Sequence, residues 1–162
     1  MVRDLGELGI NLQKIVTRLL NNQNLLKLLY YTDKDPLSGN DLTSDQIQNE
    51  VFEKLVKIIP RVGPKETANS IISLRIVNGL TNMENDEFRN FTISIEVFVP
   101  LTQWIIKDES LRPFCIMGEI QKSLLNKTIN GLGKIVGGDF TLNFLTEEIS
   151  CYEMEFNIID YN

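Results

Sequence analysis

Apolar residues recur at two different spacings along this chain. Over residues 8–31 they fall at helical intervals: Ile10, Ile15, Leu19 and Leu20, then Leu25, Leu26, Leu28 and Leu29. That spacing places one stripe along a helix, most simply a core-facing one, although it widens to nearly a full turn at the second leucine group. Asn21-Asn22-Gln23-Asn24 interrupts the stripe. Such side chains compete for backbone hydrogen bonds, so a break or kink is expected there. Residues 32–43 crowd Asp, Pro, Ser, Gly and Asn together and read as a loop. Thr43 or Ser44 then offers an N-cap, with Gln46 placed to close a capping box on Thr43. A helix is predicted over about 45–57, its apolar face formed by Ile47, Val51, Phe52, Leu55 and Val56.

Beyond Pro60, Gly63 and Pro64 the period changes to two. Residues 70–78 put Ile72, Leu74 and Ile76 on one side of a strand. In 91–99, Phe91, Ile93, Ile95, Val97 and Val99 alternate with Thr92, Ser94 and Glu96. The polar stretch 79–90 between them reads as the connector of an antiparallel pair. A helix is predicted over about 110–127, capped by Asp108 or Ser110, with Pro113 in its first turn. Leu111, Phe114, Cys115, Met117, Ile120, Leu124 and Leu125 supply its apolar face, and Gly131 or Gly133 its C-terminal stop. Residues 134–136 and 140–145 read as two short strands turning at Gly137-Gly138. A final strand, 149–159, alternates Tyr152, Met154, Phe156 and Ile158 with Cys151, Glu153, Glu155 and Asn157.

Strands come in runs, not in strict strand–helix alternation. The expected class is therefore α+β: a single domain with a mainly antiparallel (mixed) sheet, one helix packed on a face, and N-terminal helices. Residues 1–43 form the helical segment and loop, and 44–162 the sheet-and-helix core.

Composition narrows the chemistry. The 162 residues include no histidine, which removes the commonest acid/base, the commonest metal ligand and every Ser–His or Cys–His nucleophile. Cys115 and Cys151 are isolated, without Cys-x-x-Cys spacing. A net charge of −6 argues against a general phosphate-binding surface, so no specific nucleic-acid binding is expected. The apolar runs are too short and interrupted to span a membrane, and the polar N-terminus is not a signal peptide, so synthesis in a cytoplasm is expected.

Asp33-x-Asp35 opens like a calcium loop, but Ser38 stands where glycine is needed and Ser44 where a bidentate Glu is needed. The glycine-rich run 131–138 leaves a helix instead of opening one, and Lys134 precedes neither Ser nor Thr, so it is no phosphate loop. No cofactor and no metal is expected. Three features suit an interface between subunits. The loop bearing Glu84, Asp86 and Glu87 is acidic. Glu153 and Glu155 share one face of a strand and would suit a basic neighbour. Trp104, the lone tryptophan, suits core filling or an interface anchor.

From about residue 45 to 160 the order of elements follows a known pattern. A long strand (FRNFTISIEVFVPLTQWII) leads to a helix containing Arg112-Pro113-Phe114 and Ile120-Gln121-Lys122-Ser123-Leu124-Leu125-Asn126. Gly131-Leu132-Gly133, a hairpin and a closing strand (YEMEFNIIDYN) follow. This arrangement resembles the tail-terminator and tail-completion proteins of tailed bacteriophages. The likeness is one of element order, not of a diagnostic motif. It implies a virion protein at the head–tail junction, assembled in the host cytoplasm. It also implies a homo-oligomeric, hexameric ring that caps the tail tube and meets tail-tube and neck or connector proteins, with no catalytic residues. An adjacent neck or head-completion protein fits the same pattern. So do two other classes: a small-ligand or peptide-binding module with a pocket between helix 110–127 and the sheet, and an enzyme relying on Glu153 and Glu155 alone.

Overall fold

The structure, a computed structural model, describes residues 5–58, 68–81 and 88–159. Its first helix, α1 (Gly6–Leu20), buries Leu12, Ile15, Val16 and Leu19, and α2 (Gln23–Tyr30) buries Leu25, Leu26, Leu28 and Leu29. The asparagine run does break the helix. Asn22 leaves helical geometry and its side chain accepts from the Leu25 amide at 3.0 Å, an N-cap that restarts the chain as α2. The Asn22 amide also donates to Glu119 Oε2 (3.0 Å) and Ser123 Oγ (2.9 Å), which ties this corner to a helix a hundred residues on. Both helices therefore belong to the core. Ile10, counted in the apolar stripe, is instead exposed, and Asn11 takes the inward position.

The Thr43–Gln46 capping box forms as expected and opens α3 (Ser44–Gln46), which continues as a π-helical turn, Ile47–Val51. The helix predicted to reach residue 57 stops there. Glu53 adopts φ +63°, and Val56–Lys57 become β1, paired in parallel with β2. Local helical propensity loses to a sheet register that places Val56 beside Ile72.

Strand β2 (Ile71–Thr81) runs antiparallel to β3 (Phe88–Pro100), so both are longer than the alternation alone indicated. Helix α4 (Arg112–Leu124) starts with Pro113 in its first turn. Its buried stripe is Arg112, Ile116, Ile120 and Leu124 with Met117 and Pro113, a rotation that leaves Phe114 exposed and Cys115 only half-buried. Asn126, at φ +60°, is the residue that turns the chain out of α4. Of the two glycines expected to stop the helix, Gly131 lies instead in the turn after β4 (Thr128–Ile129), and Gly133 opens β5 (Gly133–Leu145), paired with Ile129. A last strand, β6 (Ile149–Ile159), completes the sheet.

Gly137-Gly138 is not the hairpin turn expected. Both residues sit inside one continuous β5 with φ +93°, at a bulge that shifts the register against β6 between Gly137 and Asp139. The six strands follow the order β1-β2-β3-β6-β5-β4, all antiparallel except β1 with β2. The fold is α+β: helices α1, α2 and α4 and the sheet enclose one hydrophobic core. The sheet face toward the helices carries Ile72, Leu74, Ile93, Ile95, Val97, Met154 and Phe156, all buried.

The core also contains a cation. Arg112 is fully buried and has backbone carbonyls for its side-chain partners. Its guanidinium donates to Gln103 O (3.0 Å), Leu28 O (2.6 Å), Tyr31 O (2.7 Å) and Asp33 O (2.5 Å). Burial lowers its pKa and the nearby Asp33 charge opposes that shift. Asn69 Nδ2 meanwhile donates to Leu29 O and Tyr30 O. Together these donors satisfy the carbonyls that end α2, and the positive charge lies where the helix dipole is negative.

Candidate interaction surface

Two side-chain clusters lie on opposite faces of the sheet near β5 and β6. The first is aromatic. After Pro100 a short helical turn, Leu101–Gln103, carries the chain into Trp104, whose carbonyl accepts from the Arg112 amide at 2.8 Å. The buried Arg112 side chain holds the preceding carbonyl too, so the loop is fixed from both sides. Trp104 then lies 6.2 Å from Tyr152, centroid to centroid. Phe114, on the outward side of α4, is 5.4 Å from Tyr152 and 5.9 Å from Phe140. Phe140 in turn is 6.1 Å from Tyr152. These separations suit tilted and edge-to-face aromatic contacts. The cluster is open to solvent: Phe114, Phe140, Leu142 and Leu145 are all exposed. Leu101, Trp104, Leu142, Leu145 and Tyr152 line a shallow, mostly apolar cleft of about 360 Å³.

The second cluster is ionic. Arg75 on β2 pairs with Glu96 on β3 (2.8 Å) and Glu153 on β6 (3.0 Å). Ser94 donates to Glu153 at 2.5 Å, and Asn143 donates to Glu96 at 3.4 Å. The register explains the meeting. Arg75 lies opposite Ser94, Ser94 opposite Glu155, and Glu96 opposite both Ser73 and Glu153. Ser73, Ser94, Glu96 and Cys151 are buried, so the centre of this face is covered, while Glu155 and Asp139 remain exposed toward β5.

Burial pushes the Glu96 carboxyl above its usual range; Arg75 opposes that rise and the Glu153 charge adds to it. Burial acts to lower the pKa of Arg75, but the Glu153 hydrogen bond and the two carboxylate charges lift it overall. The neighbouring Cys151 thiol is pushed up to about 12, mainly by burial and then by the Glu96 charge. At neutral pH it is therefore a thiol and not a nucleophilic thiolate.

The raised Glu96 pKa fixes the sign of a pH effect. Its contribution to stability is fullest below the unfolded value, near 4.5, and is lost as pH rises through the higher folded value. Glu96→Gln mimics the protonated form. It is expected to gain stability relative to wild type as pH rises from about 4.5 to neutrality. Urea midpoints across that range measure it; a variant that loses ground toward neutrality would show that Arg75 outweighs burial.

Among the residues singled out from the sequence, Trp104 joins the aromatic cluster and Glu153 the ionic one. Glu155 is exposed on the same face as Glu153, with Ser94 and Asp139 opposite it in register. Glu84, Asp86 and Glu87 lie outside the described residues. Sequence reasoning missed Phe114, Phe140 and Leu142 as a surface, and Arg75 and Glu96 as partners of Glu153. The Phe140-x-Leu142 spacing after a glycine pair was the available signal for the first. Among the described residues, no group of three or more Cys, Asp or Glu is placed to hold a metal, and no helix is long and apolar enough to cross a membrane.

Residues 22–158 match the YomW family, most of the chain. The chain belongs to that family. YomW proteins are phage-associated, so the phage origin expected from the element order stands at that coarser level. No curated protein matches the chain.

Proposed function

We propose that this YomW-family chain is a structural subunit of a phage head–tail junction, a ring component that caps the tail tube or joins it to the neck. The observation that supports this best is the open aromatic surface of Phe114, Phe140, Leu142, Tyr152 and Trp104 beside β5. Beyond Lys134, β5 has no outer strand partner among the described residues, since β4 pairs only with Gly133 and Lys134. Apolar surface next to a free strand edge is a place where a neighbouring chain gains both burial and contacts. The phage-associated family and the element order point the same way.

The ring reading predicts that measured mass rises with protein concentration and that negative-stain images of the same samples show closed rings. Leu142→Asp, at an exposed position, is expected to weaken this association by roughly thirtyfold or more without altering the circular dichroism spectrum, the loss typical of a central interface side chain. A protein that stays monomeric at its highest soluble concentration, and that leaves added tail tubes uncapped, overturns the reading. The 360 Å³ cleft beside Trp104 favours a second reading, a small-ligand or peptide-binding module. A melting temperature raised by one compound in a screen, in a chain that does not assemble, supports that one.

A further inference from the structure

The chain has a second, smaller apolar patch. Val77 and Leu80 on β2 are 46% and 57% exposed. They lie at or beyond a register shift between Ile76 and Asn78, and Leu80 sits opposite Asn90. Asn90, Thr92 and Ser94 alternate with the inward Phe91 and Ile93, so Leu80 belongs to the sheet face opposite the helices. Phe140 and Leu142 belong to the helix face, opposite Met154 and Tyr152.

The two patches are far apart. Strands β3 and β6 stand between β2 and β5, so three strand spacings separate them, roughly 14 Å. Along the strands, Leu80 is level with Asn90 and hence with Ile159, whereas Leu142 is level with Tyr152. Those seven steps along β6 amount to roughly 23 Å. One patch thus lies diagonally across the sheet from the other, on the opposite face.

This geometry selects the kind of assembly. A two-fold dimer uses one patch twice and leaves the other in water. Head-to-tail association covers both and repeats, which is how a ring closes. Around Phe140, four side chains are 40–60% exposed. With Trp104 and Tyr152 they expose on the order of 400 Å², at about 150–250 Å² for a whole aromatic side chain. A standard interface takes roughly 800 Å² from each partner, so this patch can form its apolar centre with a polar rim around it.

We infer that copies of this chain join head to tail, the Val77–Leu80 segment of one copy packing on the Phe140–Leu142 surface of the next. The inference rests on the ring reading and names its contacts. The test uses Leu80→Asp and Leu142→Asp in the full-length chain, alone and mixed, with mass measured against concentration. Each variant alone is expected to associate roughly thirtyfold more weakly than wild type. Each keeps one good patch of opposite kind, so an equimolar mixture is expected to form heterodimers that go no further. Association that survives Leu80→Asp but not Leu142→Asp, and that stops at dimers, would overturn the inference in favour of self-pairing of the Phe140 surface, and a mixture that stays monomeric would overturn it too. Wild-type protein that never self-associates, alone or on added tail tubes, removes the ring reading itself, and the inference with it.

Discussion

Arg112→Met is expected to lower the unfolding free energy by about 3–5 kcal/mol, a large fraction of the roughly 5–15 kcal/mol that holds a domain together. The guanidinium sits at the base of α4 with no side-chain solvent exposure and donates to four backbone carbonyls. Removing it leaves the Gln103 and Leu28 carbonyls buried without a donor and takes the same donor from the part-buried Tyr31 and Asp33 carbonyls; each buried orphan costs about 1–3 kcal/mol unless water can enter. Methionine fills the stem volume but offers no hydrogen bond. Arg112→Lys keeps the charge and still loses most of the stability, because an ammonium at one point cannot reach Gln103 on one side and Leu28, Tyr31 and Asp33 on the other. Urea denaturation measures both variants. The Gln103 and Trp104 carbonyls both accept from Arg112, so the fluorescence of Trp104, the one tryptophan, should shift as well. A loss below about 1 kcal/mol would mean that the carbonyls find other donors.

How far the sequence foretold these features depends on how local each one is. Period-two alternation in 91–99 and 149–159 became β3 and β6, and the asparagine run became the α1–α2 break, because each signal and its structural consequence lie within a few residues. The Thr43–Gln46 capping box is equally local. Where the deciding partner is distant, the reading failed. Leu55 and Val56 fit a helical stripe, yet Val56 is claimed by Ile72 on β2. Arg112 read as one residue of a helix start, because the four carbonyls it serves come from segments whose proximity only the fold creates. The candidate site divides the same way. Trp104 stood out by type and Glu153 by spacing, whereas Arg75 and Glu96 join Glu153 only through two strand registers. An aromatic such as Phe114 is equally at home inside a helix face or outside it, and its exposure follows from how α4 is rotated.

Gly138→Val is expected to destabilise the chain by about 2–5 kcal/mol and to disturb the Phe140 surface with it. Two independent effects add. At φ +93° a valine is strained by about 1–3 kcal/mol. Its Cβ would also stand 3.0 Å from Cε1 of Phe156, a fully buried ring that has little room to retreat. Gly138→Ala meets the same strain and the same ring without valine's extra methyls, so it should lie at the lower end. The bulge matters because it changes parity. Before it, Ile135 lies opposite Ile158 and faces the helices; after it, Phe140 lies opposite Met154 and faces them as well. Had Gly138 been paired in unbroken register instead of bulged, odd residues would have stayed inward, so Asp139 and Thr141 would turn toward the helices and Phe140 and Leu142 away from them. Deleting Gly138 removes the bulge but leaves Gly137 opposite Phe156 and Phe140 opposite Met154, so Phe140 should stay beside Phe114 and Tyr152, and association should survive in protein that still folds. Urea denaturation and mass against concentration test the three changes together. If Gly138→Val were as stable as wild type, position 138 would carry no strain; if the deletion abolished association in folded protein, Gly138 would not be the residue that the bulge absorbs.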